Sequence, residues 1–218
     1  MSAPSLQYLC ILDFEATCDS DSRSGWDPNK QEIIEFPVLR YNLQTRQVDR
    51  IFHEYVRPTL QPTLTKFCTD LTGIQQDTVD AAEPFSVVWT RFMAFLSENL
   101  PEDQSTFAFL TCGNWDLQTM LPRQLTLEKT AAADTRSEAQ SDTSVVPYAL
   151  MHWLNIKPNF RAVYHKNPSG MKSMLHHLHL QLEGRHHSGI DDCKNIARIV
   201  TRMLEDGWEP EEPRTRFK

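Results

Sequence analysis

The sequence predicts an α/β sandwich built on a mixed sheet, and three observations carry that reading. Segments rich in β-branched and aromatic residues fill the chain up to Pro58, helical spacing of apolar residues begins after Pro62, and a further apolar run at residues 105–113 breaks the helical part.

In order, QYLCILDF, QEIIEFPVLRYNL and QVDRIFHEYVRP read as three strands, separated by polar punctuation and suited to an antiparallel start. LTKFCTDLTGI is a short helix stopped by Gly73, and EPFSVVWTRFMAFLSENL is an amphipathic one whose buried stripe is Phe85, Val88, Trp89, Phe92 and Phe95. STFAFLTCG is the fourth strand, and WDLQTMLPRQL follows it as a helix. Residues 128–144, EKTAAADTRSEAQSDTS, have no aromatics and no apolar period, and they read as a solvated, flexible insert within one domain spanning 1–218. PYALMHWLNIK, GMKSMLHHLHLQL and SGIDDCKNIARIVTRMLEDG then supply three helical segments.

Composition narrows the function classes. With 40% apolar and 23% charged residues among 218, the chain has the make-up of a globular protein, and no run approaches the roughly 18 apolar residues of a membrane helix. The start MSAPSLQYLC lacks a basic segment leading into a long apolar one, so no secretory signal is expected. Five scattered cysteines without a C-x-x-C pair suit reduced thiols in an intracellular compartment, cytoplasmic or nuclear. The net charge of -7 provides no global positive field, so a polyanionic substrate must be held by local cations and by metals.

Four places carry possible chemistry. Alternate side chains of a strand share a face, so Asp13 and Glu15 project together, about 6 to 7 Å apart along the strand. They either grip a hard divalent cation that relieves their repulsion or, if the strand ends at Phe14, are two solvated acids. Asp116 lies past the fourth strand, where an Asp caps a helix or, beyond a strand end of an open sheet, serves as a metal ligand. In EGRHHSGIDDCKNIARI, Ser188 and Asp191 fit a capping pattern. Asp192 instead heads the stripe Asp192, Ile196, Ile199 and Met203, where a buried carboxylate needs a partner or an ion. His187, in the preceding loop, is placed to act as a general base.

Together these places resemble the three exonuclease motifs of the DEDDh 3′→5′ exonucleases, and most of all the enhanced-RNAi and histone-mRNA 3′-exoribonuclease branch that includes Snipper-type proteins. The phrases LDFEATCD, EIIEFPV, FCTDLTGI, CGNWDL, LNIK and HHSGIDDCKNIARI carry the resemblance over nearly the whole chain except 128–144. It implies an RNase H-like fold with a mixed five-stranded sheet flanked by helices. It also implies hydrolysis of single-stranded nucleic acid, RNA favoured, from the 3′ end to 5′-mononucleotides, using two Mg²⁺ or Mn²⁺ ions. Carried over by position, Asp13, Glu15, Asp116 and Asp192 would be the metal ligands and His187 the general base, with His186 a neighbour lacking a catalytic role. A DNA exonuclease of the same fold and a non-catalytic nucleic-acid-binding or partner-docking module are the alternatives.

The resemblance also implies substrate contacts from Phe67, Thr72 and Gly73 near the base and sugar, with Trp115 and Leu117 beside them. Phe67 and Leu71 can equally be core residues, and for Leu71 that is the preferred reading. Arg161, His165, Lys166 and Lys172 either rim a phosphate site or are scattered surface charge. The histidine-rich stretch His176, His177, His179, His186 and His187 is not read as a zinc site, because no cysteine has ligand spacing with it.

Overall fold

The computed structural model describes residues 6–21, 25–135 and 146–211. β1 (Tyr8–Leu12), β3 (Ile33–Asn42) and β4 (Gln47–Arg57) form the expected antiparallel ladder, with β3 in the middle. β6 (Phe107–Thr111) adds to β1 in parallel, and β7 (Trp153–Asn155) adds to β6. The two-residue strands β2 (Glu15–Ala16), on β3, and β5 (Glu83–Pro84), on β4, raise the five principal strands to seven, in the order β5-β4-β3-β1-β6-β7 with β2 off this path.

β1 shows how the sheet acquires two covered faces. Its period of two sends Cys10 and Leu12 into one apolar cluster with Val88, Trp89 and Phe92 of α3 (Phe85–Asn99). Leu9 and Ile11 enter the other, with Ile196, Ile199 and Met203 of α8 (Gly189–Glu205). Phe36 is the hub of the first face, its ring 4.8 Å from that of Phe14 and 4.6 Å from that of Phe92. Truncating so enclosed an aromatic costs about 3–5 kcal/mol. On α3, Leu96 is buried where Phe95 was expected; Phe95 is half-exposed.

α1 (Lys66–Thr72) is closed by Gly73 at φ 81°, as its sequence predicts, and is capped at its start by the Thr65 hydroxyl. α2 (Gln76–Asp80) follows.

Two segments depart from expectation. The helix read over PYALMHWLNIK divides into α5 (Tyr148–Met151), the strand β7 and the first residues of α6 (Ile156–Tyr164). An apolar run this short suits either state, and pairing with β6 decides for the strand. Residues 128–135, read as part of a flexible insert, belong to α4 (Leu121–Thr135); alanines at 131–133 are strong helix formers and need no apolar stripe. The rest of that segment, 136–144, lies outside the described residues.

Candidate active site

Several elements converge at the C-terminal end of β1. The chain leaves β1 at Asp13, anchors Phe14 against Phe36, and pairs Glu15 with β3, so Asp13 and Glu15 turn away from the core together. β6 ends nearby in the π-helical turn Trp115–Met120, which buries Asp116. The Asp116 carboxylate accepts the Phe14 amide at 2.9 Å and thereby ties this turn to the segment between the first two acids.

On the opposite side, α8 abuts the sheet end so closely that a Cβ on Gly189 would stand 2.5 Å from the Asp13 carbonyl oxygen. That approach brings in Asp192, whose Oδ2 accepts the His187 amide at 2.9 Å. Carboxylate oxygens of Asp13, Glu15 and Asp192 lie within 4.8 Å of one another. α7 (Met171–His177) completes a cleft of about 420 Å³ whose lining includes Asp13, Lys172, His186, His187 and Asp192.

The electrostatics follow from burial and crowding. Burial, then the charges of Asp116 and Glu15, hold the Asp13 carboxyl well above its usual range. Burial and Glu35 push Glu15 up to about 9. Asp116 is pushed up to about 6 by burial, against the pull of the Phe14 amide. Burial also raises Asp192, opposed by the His187 amide and by His186. His187 moves the other way, below 6.5, because burial, the adjacent His186 and the cations Lys172 and Arg185 disfavour the imidazolium. A set of all-oxygen donors, crowded and reluctant to ionise together, fits a hard divalent cation, whose charge would remove that reluctance.

Of the expected site residues, the fold brings together Asp13, Glu15, Asp192 and His187, with Asp116 hydrogen-bonded to the same strand segment. The substrate contacts divide. Phe67 and Trp115 are exposed, by 38% and 41%, so neither is a core residue. Leu71 is only half-buried, not the core residue preferred for it. Leu117 is wholly enclosed in the core, and Thr72 is buried with its hydroxyl donating to the Cys68 carbonyl. Gly73 lies beneath Arg185, whose guanidinium leaves no room for a Cβ and donates to the Leu71 carbonyl.

Three partners were not legible from motifs. The Ser188–Asp191 capping pattern does not form: the Asp191 carboxylate accepts the Arg185 amide and the Lys194 ammonium instead. Glu35 of β3 caps α8 in its place, accepting the Gly189 and Ile190 amides. His186, expected as a bystander, is the histidine whose ring bonds Asp192, at 3.1 Å, and it stacks on His187 with ring centroids 3.9 Å apart. His187 itself is left-handed, at φ 64°.

The model of the exonuclease family (RNase_T) matches residues 10–200. Its DEDDh members have an RNase H-like fold, and the nuclease domain of one of them, 3'hExo bound to rAMP, superposes on this chain with a TM-score of 0.82 at 33% identity, covering 96% of this chain and 98% of that one. The structure of 3'-end specific recognition of histone mRNA stem-loop by 3'-exonuclease gives a TM-score of 0.78 at 34% identity, over 95% and 86% of the two chains. Against the 3'-5' exoribonuclease 1 of Mus musculus, the chain is 35% identical over 204 residues, 93% of its own length and 54% of that protein's. The chain belongs to this exonuclease family and has its RNase H-like fold. It spans about half the length of the curated relatives it matches. The family depends on divalent metal, which accords with the all-carboxylate cluster. Among the described residues, no helix is long and apolar enough to cross a membrane.

Proposed function

We propose that the chain is a single metal-dependent 3′→5′ exonuclease domain that removes nucleotides one at a time from the 3′ ends of single-stranded nucleic acid, RNA favoured, releasing 5′-mononucleotides. The observation that carries this reading is the convergence of Asp13, Glu15 and Asp192 within 4.8 Å, in a cleft that His187 also lines. The two solved relatives, one bound to rAMP and one recognising a histone mRNA stem-loop, support RNA as the substrate class.

In this reading Asp13, Glu15, Asp116 and Asp192 hold two divalent ions, Mg²⁺ or Mn²⁺. These supply, when bound, the positive charge and Lewis acidity that a phosphodiester displacement needs. His187 keeps a neutral imidazole at neutral pH and takes the proton of the attacking water. Asp116 fixes the Asp13–Glu15 segment through the Phe14 amide. His186 orients the Asp192 carboxylate, and Lys172 brings a positive charge to the cleft wall. Phe67 and Trp115 offer exposed aromatic faces that stack on any base, beside Gly73. Free, scattered thiols and an RNA substrate support a cytoplasmic or nuclear setting.

The test is a 5′-labelled substrate panel of single-stranded RNA, single-stranded DNA and stem-loops with 3′ overhangs, each with Mg²⁺ or Mn²⁺. Stepwise shortening of RNA that Asp13→Ala or a chelator abolishes is the expected result. Equal rates on RNA and DNA would remove the RNA preference, and silence across the panel would remove the enzyme.

A further inference from the structure

The histidine-rich stretch is divided by the fold into three jobs, and one of them lies outside the mechanism. His186 and His187 line the catalytic cleft. His177 packs its ring against Phe160 and Tyr164, with centroids 5.5 and 5.3 Å away. His176 and His179 are exposed and line a second cavity of about 340 Å³.

This cavity adjoins the catalytic cleft through Lys172, which lines both. Lys172 and His176 are four apart on α7 and share a face. The chain then turns out of the helix with His179 at φ 57°, a conformation His tolerates better than most residues, held by the Leu180 amide on the Leu175 carbonyl. Lys172, His176 and His179 make no side-chain hydrogen bond or ion pair among the described residues, and no acidic residue lines the cavity. That is notable in a chain of net charge -7. Leu180 and Leu182 provide apolar surface over the buried Leu175, and Leu182 is 38% exposed.

Resting on the nuclease reading above, we infer that this cavity is a binding subsite for the strand on the 5′ side of the scissile phosphodiester, with Lys172, His176 and His179 on its phosphates and the leucines against a base or ribose. A donor-rich rim without carboxylates complements a polyanion, and an adjoining apolar wall suits the flat, weakly polar faces of nucleosides. Because Lys172 belongs to both cavities, a strand can run from the carboxylate cluster into the subsite along one wall. The metal alternative fails on ligand number, since His176 and His179 join no cluster of three metal-binding groups among the described residues.

The test compares wild type with the double variant His176→Ala/His179→Ala on two substrates. One is a single-stranded RNA 12-mer; the other is the p-nitrophenyl ester of uridine 5′-monophosphate, which presents a nucleotide and a scissile phosphate but no 5′ strand. The double variant is expected to raise KM for the 12-mer about tenfold, while hydrolysis of the ester stays within about twofold. An unchanged KM on the 12-mer, or a parallel loss on the ester, would overturn the subsite. Binding of the labelled 12-mer is read in the Asp13→Asn background as well, where about tenfold weaker binding by the double variant supports the subsite and equal binding refutes it. Absence of hydrolysis by the wild type would strike the nuclease reading alone, and the binding comparison would still decide the subsite.

Discussion

The Gly189 amide donates to Glu35 Oε2 at 2.8 Å, joining residues 154 positions apart. The same carboxylate accepts the Ile190 amide at 3.1 Å and the His53 ring at 2.8 Å, and it has no exposed surface. Two of the unpaired N–H groups at the start of α8 are thus satisfied from the sheet, and an anion sits at the positive end of that helix. Glu35→Ala would strand those amides and free the turn that carries His187 and Asp192. The variant is expected to lose about 2–4 kcal/mol of stability, measured by denaturant unfolding, and to drop kcat by at least about tenfold. Glu35→Gln, which retains one acceptor, should fall between it and the wild type in both measurements.

Gly189 is required by distance. An added Cβ would meet the Asp13 carbonyl oxygen at 2.5 Å and Pro37 at 3.0 Å, and a backbone atom cannot yield as a flexible side chain does. Gly189→Ala must therefore push α8 off the end of β1, separating Asp192 from Asp13. We expect a loss of about 2–3 kcal/mol with weakened metal affinity by calorimetry. Gly170→Ala, whose Cβ would meet nothing within 4 Å, should leave the melting temperature within about 1 °C of wild type.

These contacts mark where the sequence stops being legible. Asp13 and Glu15 could be placed on one face because a strand has a period of two, and Asp192 could be placed at the head of α8 because it shares a stripe with Ile196 and Ile199. Both are local patterns. Glu35, by contrast, looks like any other residue of EIIEFPV until the fold brings α8 to it, and the local pattern Ser188–Asp191 points to a cap that does not form. β7 was hidden for a related reason: WLN becomes a strand only through its partner β6. The burial of Leu117 and Thr72 was not legible either, because motif position says which loop a residue belongs to, while burial depends on how that loop packs.

Crowded carboxylates trade stability for chemistry. Asp13 is held protonation-prone by burial and by Asp116 and Glu15, so in the metal-free protein its charge opposes folding. Asp13→Asn keeps the shape and deletes the charge. In the presence of a chelator it should melt about 3–6 °C above wild type in calorimetry, yet hydrolyse RNA at less than about one-thousandth of the wild-type rate. A variant that melted below wild type would contradict this reading of the cluster.

The depressed imidazole of His187 sets the acid limb of the rate profile. Its neutral form accepts the proton, and since burial and neighbouring cations lower its titration below 6.5, that form dominates at neutral pH. With saturating Mn²⁺, kcat/KM should be flat near pH 7 and fall only below about 6.5, approaching tenfold per pH unit. His187→Ala should lower kcat by about 10²–10⁴ and lose this limb, whereas His187→Gln, which keeps a polar group without a titrating nitrogen, should lower the rate without restoring it.

Metal and pH should act on stability in opposite directions. Glu15 titrates at about 9 and Asp116 at about 6 in the folded chain, against 4.5 and 3.8 ordinarily. Between those limits the folded state holds protons that the unfolded chain has released, so this contribution to stability is complete below about pH 4 and is lost as pH rises through 6 and then 9. Asp49 and Asp191 are shifted downward and contribute the reverse trend, but theirs is confined to acid pH, so it does not compete above pH 6. Calorimetric scans in chelator should accordingly show the melting temperature falling by about 5 °C or more between pH 6 and pH 9. Divalent cation binds the ionised carboxylates, so the increment it adds should be larger at pH 8 than at pH 6. Glu15→Gln should flatten the chelator curve above pH 7, where Glu15 is still losing its proton. A metal-free protein whose melting temperature rose across this range would show that the four acids are already ionised and that their repulsion is met by something other than a cation.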